Sequence, residues 1–146
     1  MADKINDLTA ASAITESQQL EADTSGTTAE KLTIAQVRKY IINRIIVTDA
    51  TTARTLALTD VGKYIRFTSG SAIALTVPAN ATIAFTAGDE IEIQQIGAGV
   101  ITVTAAGGVT LKSLSSYITS AGAGAYLRLK YVGSDTWDLI GDLTSA

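Results

Sequence analysis

Across residues 55–142 apolar and polar side chains alternate in short runs, most clearly in EIEIQQIGAGVITVT at residues 90–104. Ile91 and Ile93 fall on one face, with Glu90, Glu92 and Gln94 on the other. Past Gly97, Ala98 and Gly99, Ile101 and Val103 alternate with Thr102 and Thr104. A period of two marks strands with one dry and one wet face. Two β-branched runs joined by a glycine-rich tripeptide predict a hairpin with a short bulged loop. Residues 55–58, 64–68, 73–77, 109–111, 117–119, 125–132 and 136–140 read as further strands. Turns are expected at 60–63, 69–71, 107–108 and 133–135. Pro78 ends its strand because it has no donor for the ladder. The longer loop 79–89 is expected to tuck Ile83 and Phe85 inward.

The first 47 residues follow a different pattern. Residues 1–22 have sparse apolar side chains, Ile5, Leu8, Ile14 and Leu20, with no sustained period. They read as an extended arm docking on something else; disorder remains the open alternative. Thr24, Ser25, Gly26 and Thr27 separate QQLEAD from TAEKLT, which predicts a small hairpin. Residues 33–44 predict the one α-helix: Thr33 and Gln36 form a capping box, and Ile34, Val37, Ile41 and Ile45 make an apolar stripe. So short a helix does not hold in water alone, so the stripe packs either on its own β domain or on other copies or a scaffold. The β-branched Ile46 and Val47 then lead into a polar connection at 48–54. Two parts are expected, 1–47 for attachment and oligomerisation and 48–146 for the β domain.

Short strands at roughly 8–12-residue spacing indicate a mainly β chain with an antiparallel β-sandwich or jelly-roll-like domain. The extended arm and single short α-helix precede it. No repeat of 20–50 residues is visible, which argues against a solenoid.

Composition narrows the function. The chain has no Cys and no His, which removes disulfides, thiolate or imidazole metal sites and His-dependent triads. Eleven basic and fourteen acidic residues give a net charge of −3 without a basic cluster, a poor match to a phosphate backbone. No apolar run approaches the ~20 residues of a membrane helix, and the first residues do not start a signal peptide, so synthesis is expected in the cytoplasm. Charged residues make up only 17% while apolar ones reach 47%, against about 25% charged in ordinary domains. Either Thr and Ser coat the surface, or copies of the chain or a scaffold cover part of it.

Candidate chemistry is thin. Asp89, Glu90 and Glu92, or Asp135, Asp138 and Asp142, are the groupings to weigh as a glycosidase pair, but Glu90 and Glu92 share the wet face of one strand. Asp135 and Asp138 lack the dense acidic loop of a calcium site. The glycine pairs do not lead into a helix carrying a phosphate-binding Lys. Trp137 with Tyr126 and Tyr131 reads as core or as a sugar-stacking platform, core being the commoner use. No catalytic residue, metal ligand or cofactor is expected.

Two stretches carry a resemblance. KINDLTAAS followed by QLEADTSGTTAEKLTIAQVRKYI, within residues 4–41, resembles the N-terminal segment of many tailed-phage virion proteins. That segment pairs a K-I-x-D-L-x-A-A-S opening with a Gly-Thr-Thr turn and a T-x-A-Q-V/L helix start, and it commonly attaches the molecule to the particle. The second is the succession LTDVGK, VPAN, GDEI, QIGAG, GVTL and WDLIGDL from residue 58 to 143. It is similar to a β module of phage fibre and head-decoration proteins. The resemblance implies a non-enzymatic, commonly trimeric structural virion protein. The close of the sequence at Ala146 favours a compact head decoration (cement) protein on the capsid exterior over a fibre. Its expected partners are its own copies and the major capsid protein or another virion protein, not nucleic acid or a membrane. The expected contact residues are Ile5, Leu8, Ile14, Leu20, Ile34, Val37, Ile41 and Ile45. Two rivals stay open: a tail- or head-fibre component with the same adaptor, and a receptor-reading carbohydrate-binding module.

Overall fold

The computed structural model describes residues 19–21, 31–33 and 45–145. The chain divides into two units, Met1–Asn43 and Arg44–Ala146. In the first, β1 (Gln19–Glu21) pairs antiparallel with β2 (Lys31–Thr33), Gln19 opposite Thr33. The turn cluster at residues 24–27 predicts this pairing. Beyond Thr33, the expected helix lies outside the described residues.

The second unit is mainly β. Its strands are β3 (Ile46–Asp49), β4 (Ala53–Thr55), β5 (Tyr64–Phe67), β6 (Ile73–Val77), β7 (Glu90–Gln95) and β8 (Ile101–Ala105). After these come β9 (Thr110–Lys112), β10 (Thr119–Ser120), β11 (Tyr126–Gly133), β12 (Thr136–Gly141) and β13 (Leu143–Thr144). A six-stranded sheet runs β3-β5-β7-β11-β12-β9, and a five-stranded sheet runs β13-β10-β8-β6-β4. Their inner faces share one core: Ile65, Phe67, Ile91, Ile93, Leu127 and Leu129 from the first meet Ile73, Leu75, Val77, Ile101 and Val103 from the second. That is an arrangement of sandwich type.

Three expectations are corrected here. The sheets are mixed, not antiparallel: β3–β5, β5–β7, β4–β6, β6–β8 and β12–β9 are parallel ladders. A jelly roll, built of antiparallel Greek keys, has no such run. Residues 90–104 do not form a hairpin, because β7 lies in one sheet and β8 in the other. The chain instead crosses from sheet to sheet at every step from β3 to β8, each strand lying parallel to the one two places on. It therefore winds as a short coil within the sandwich, although the lack of a repeat argues against a solenoid. The coil leaves no sequence period because its steps are unequal. Ile46 aligns with Tyr64 and Tyr64 with Glu92 in one sheet, Ala53 with Ala74 and Ala74 with Thr102 in the other. The longer second step holds the loop 78–89, where Phe85 is buried and Ile83 half-buried, as expected.

Stacked corners hold the winding. The Gly99 amide donates to the Ser69 carbonyl at 3.0 Å, the Ile73 amide to Val100 at 2.9 Å and the Ala74 amide to Thr52 at 2.9 Å. Gly97 and Gly99 are glycines because a Cβ on either would collide with the backbone of residues 68–71. Inside the same corner Gln95 is fully buried, and the Ser120 hydroxyl donates to its Oε1 at 2.6 Å while accepting from the Ile101 amide at 2.8 Å. A buried amide side chain needs such partners. Here they tie β7 to β8 and β10 across the two sheets.

Candidate functional site

Of the contact residues expected from sequence, Ile5, Leu8, Ile14, Ile34, Val37 and Ile41 lie outside the described residues. Leu20 sits in β1, opposite Leu32. Ile45 precedes β3 and is 57% exposed, and Ile46 beside it is 63% exposed. The boundary expected at 47/48 falls inside β3, and the polar connection expected at 48–54 contains the end of that strand, a corner and β4.

Charge in that stretch points inward. β3 and β4 are the edge strands at one end of the winding, and among the described residues no further strand continues either sheet there. Arg54 fills this position, its two terminal nitrogens 2.7 Å from Asp49 and 2.6 Å from Asp60. Asp60 is 1% exposed and also accepts from the Ala57 amide at 3.0 Å. Burial pushes the Asp49 carboxyl up, but hydrogen bonds from the Thr51 hydroxyl and amide and from Arg54 outweigh it and hold the group below its ordinary range. Burial likewise opposes the charge on Arg54, and the two carboxylates overcome it and hold the guanidinium above its usual value. An inward charge on an edge strand blocks the addition of another strand. The cluster is a plug.

The outer face of the six-stranded sheet is polar and aromatic. One cross-strand row reads Ile46, Tyr64, Glu92, Arg128, Ile140, and another reads Glu90, Lys130, Asp138, Lys112 with alternating sign. Lys130 reaches Glu90 at 3.0 Å, so the acidic pair weighed for glycoside cleavage lies on this wet face. The Tyr64 hydroxyl donates to Gln94 at 2.6 Å, and its ring lies 6.3 Å from that of Tyr126. Of the two readings weighed for Trp137, Tyr126 and Tyr131, the core one holds for Trp137 and Tyr131, and the sugar-stacking platform does not assemble. Trp137 and Tyr131 point into the core at 1% and 3% exposure, where Phe85 meets the indole edge-on at 4.8 Å. Tyr126 alone of the three is on the surface. Asp135 is a brace, its carboxylate accepting from the Asn80 amide and its carbonyl from Thr110.

The outer face of the five-stranded sheet is different in kind. Its longer row is Ala53, Ala74, Thr102, Thr119, Thr144, and its shorter row is Thr55, Thr76, Thr104. Six threonines and two alanines occupy these two rows and none is charged, but Thr119 is buried at 7% exposure and its hydroxyl finds no hydrogen-bond partner among the described residues. Thr76 and Thr104 share a hydrogen bond at 3.4 Å, and Thr104 also donates to the Leu75 carbonyl at 3.4 Å. Sequence reading sees these residues only as the polar half of alternating strands. Their union in one sheet depends on the parallel winding.

No protein-family model, curated protein or solved structure matches the chain. Among the described residues no helix is long and apolar enough to cross a membrane, and no three His, Cys, Asp or Glu side chains converge as metal ligands would.

Proposed function

We propose that this chain is a non-enzymatic structural protein of a tailed-phage virion, a homotrimeric decoration protein that grips the head shell through residues 1–47. The observation that carries the reading is the order of the two resembling stretches, 4–41 ahead of 58–143. The separation into units at Asn43 and Arg44 supports a division between attachment and a β body. The non-enzymatic reading is supported by the engagement of its acids: Asp49 and Asp60 hold Arg54, Glu90 holds Lys130, and Asp135 and Asp142 accept backbone amides. The test is full-length protein carrying a gold label, mixed with virions and imaged, with its mass measured in solution. Label on the head and a three-chain mass are expected. Label on the tail favours the fibre reading. A monomer without affinity for the particle overturns both.

A further inference from the structure

We propose that the first turn of the coil, residues 45–55, opens from the sandwich as a segment of its own, and that Arg54 is the latch that keeps it closed.

The later strands of the coil are held by apolar burial. Each seats two or three side chains almost completely, as Ile65 and Phe67 do on β5 and Ile73, Leu75 and Val77 on β6. The first turn does not. Its inward positions are Val47, which is only half-buried, then Asp49 and Arg54. β3 and β4 are also edge strands, each paired on one side only among the described residues. Few apolar contacts and one-sided pairing mark the segments that open at the lowest cost.

The grip that remains is ionic. Arg54 meets Asp49 at 2.7 Å inside the turn and Asp60 at 2.6 Å outside it. Asp60 stays with the body, because it lies beyond Leu56, which is fully buried and donates its amide to Thr76 at 3.0 Å. The hinge therefore falls between Thr55 and Leu56. Parting Arg54 from Asp60 returns both charges to water, and that hydration offsets much of the lost attraction. Pulling a buried aliphatic strand away has no such offset. Within the turn, the Thr51 amide and hydroxyl both donate to Asp49, at 2.8 and 2.6 Å, so the corner keeps its shape as it lifts.

The segment stands directly after the division between the two units at Asn43 and Arg44. Released, it pays out up to about 36–40 Å of chain between them. Under the attachment reading above, this is slack that lets the β body yield while the first unit stays anchored. The opening itself does not depend on that reading.

Native-state hydrogen exchange on the full chain in rising urea tests it. The amides of Tyr64, Thr68 and Ala74 belong to the body but donate to Ile45, Asp49 and Thr52 in the first turn. Those of Ile73, Glu92 and Gly99 donate to Val100, Lys63 and Ser69, all within the body. In wild type the first three should share one urea-dependent opening and be about tenfold or more less protected than the second three. Arg54→Met should speed exchange at the first three about a hundredfold or more, while Trp137 keeps the emission of a buried indole. Arg54→Lys should fall between the two. Six amides that exchange together in wild type overturn the proposal, as does an Arg54→Met protein that unfolds throughout. Exchange at the first three that ignores urea overturns it too, since that is fraying of single bonds. Failure of the virion reading leaves all these rates unchanged.

Discussion

Gly97 packs its Cα against the carbonyl of Ser69, leaving no room for a side chain between the two corners. Added volume there has to move backbone, and overpacking of that kind costs about 1–3 kcal/mol or more. Gly97→Ala is expected to lose about 3 kcal/mol in urea unfolding. Gly107→Ala, with nothing within 4 Å of the new methyl, should stay within about 0.5 kcal/mol of wild type. Equal effects at the two sites would remove the stacked-corner account.

The plug predicts a large effect from one surface-edge cation. Arg54→Met leaves Asp60, 1% exposed, buried beside an uncharged neighbour, and breaking a buried pair this way costs about 3–5 kcal/mol. Arg54→Lys should recover only part of it, because one ammonium does not replace a fork spanning two carboxylates. Thermal melts of the three proteins check the order.

Asp49 gives the pH dependence. Its folded-state value lies below the unfolded one, so its contribution is complete above the unfolded value of about 3.9 and fades as pH falls through the folded value. Wild type should exceed Asp49→Asn in stability by a constant margin between about pH 5 and 8, and the margin should close below about pH 4. Denaturant midpoints measured across that range report it. A margin unchanged by acid would mean the carboxylate is not what holds the corner.

Ser120→Ala strands two buried groups, Gln95 Oε1 and the Ile101 amide. Each unmade buried bond costs about 1–3 kcal/mol. The loss should appear in hydrogen exchange at Ile101 as well as in global unfolding.

Trp137→Ala removes the centre of the Phe85–Tyr131–Trp137 cluster, and the expected cost is about 3–5 kcal/mol. Wild-type emission should be blue-shifted, as for an indole away from water. Glycan binding abolished by this change in a fully folded protein would restore the sugar-platform reading.

Individual strands were legible in the sequence; their partners were not. The inward sets Ile65 and Phe67, Ile91 and Ile93, Leu127 and Leu129 follow from alternation alone, because the period of two is local. A three-residue Gly-Ala-Gly link closes a hairpin or a crossing between sheets with similar composition. What decides is the contact of Gly97 and Gly99 with residues 68–71, which no local pattern contains. β3 and β4 were hidden for another reason. Asp49 and Arg54 place charge at inward positions, so the stretch reads as a polar link. Trp137 reads from sequence as core in the first instance, and its surroundings bear that out. The uncharged face was present in the composition as missing charge, without an address.

The two-residue turn between β11 and β12, with Ser134 and Asp135 both at positive φ, has a consequence for the birth of the molecule. This long antiparallel pair closes across two residues, whereas the coiled strands must first bring together residues 18–28 apart. Short-range closure is quicker than long-range closure. β11 and β12 are therefore expected to pair first, with the coiled strands wound onto them afterwards. Pulse-labelling during refolding should find amides of β11 and β12 protected before those of β3 and β5.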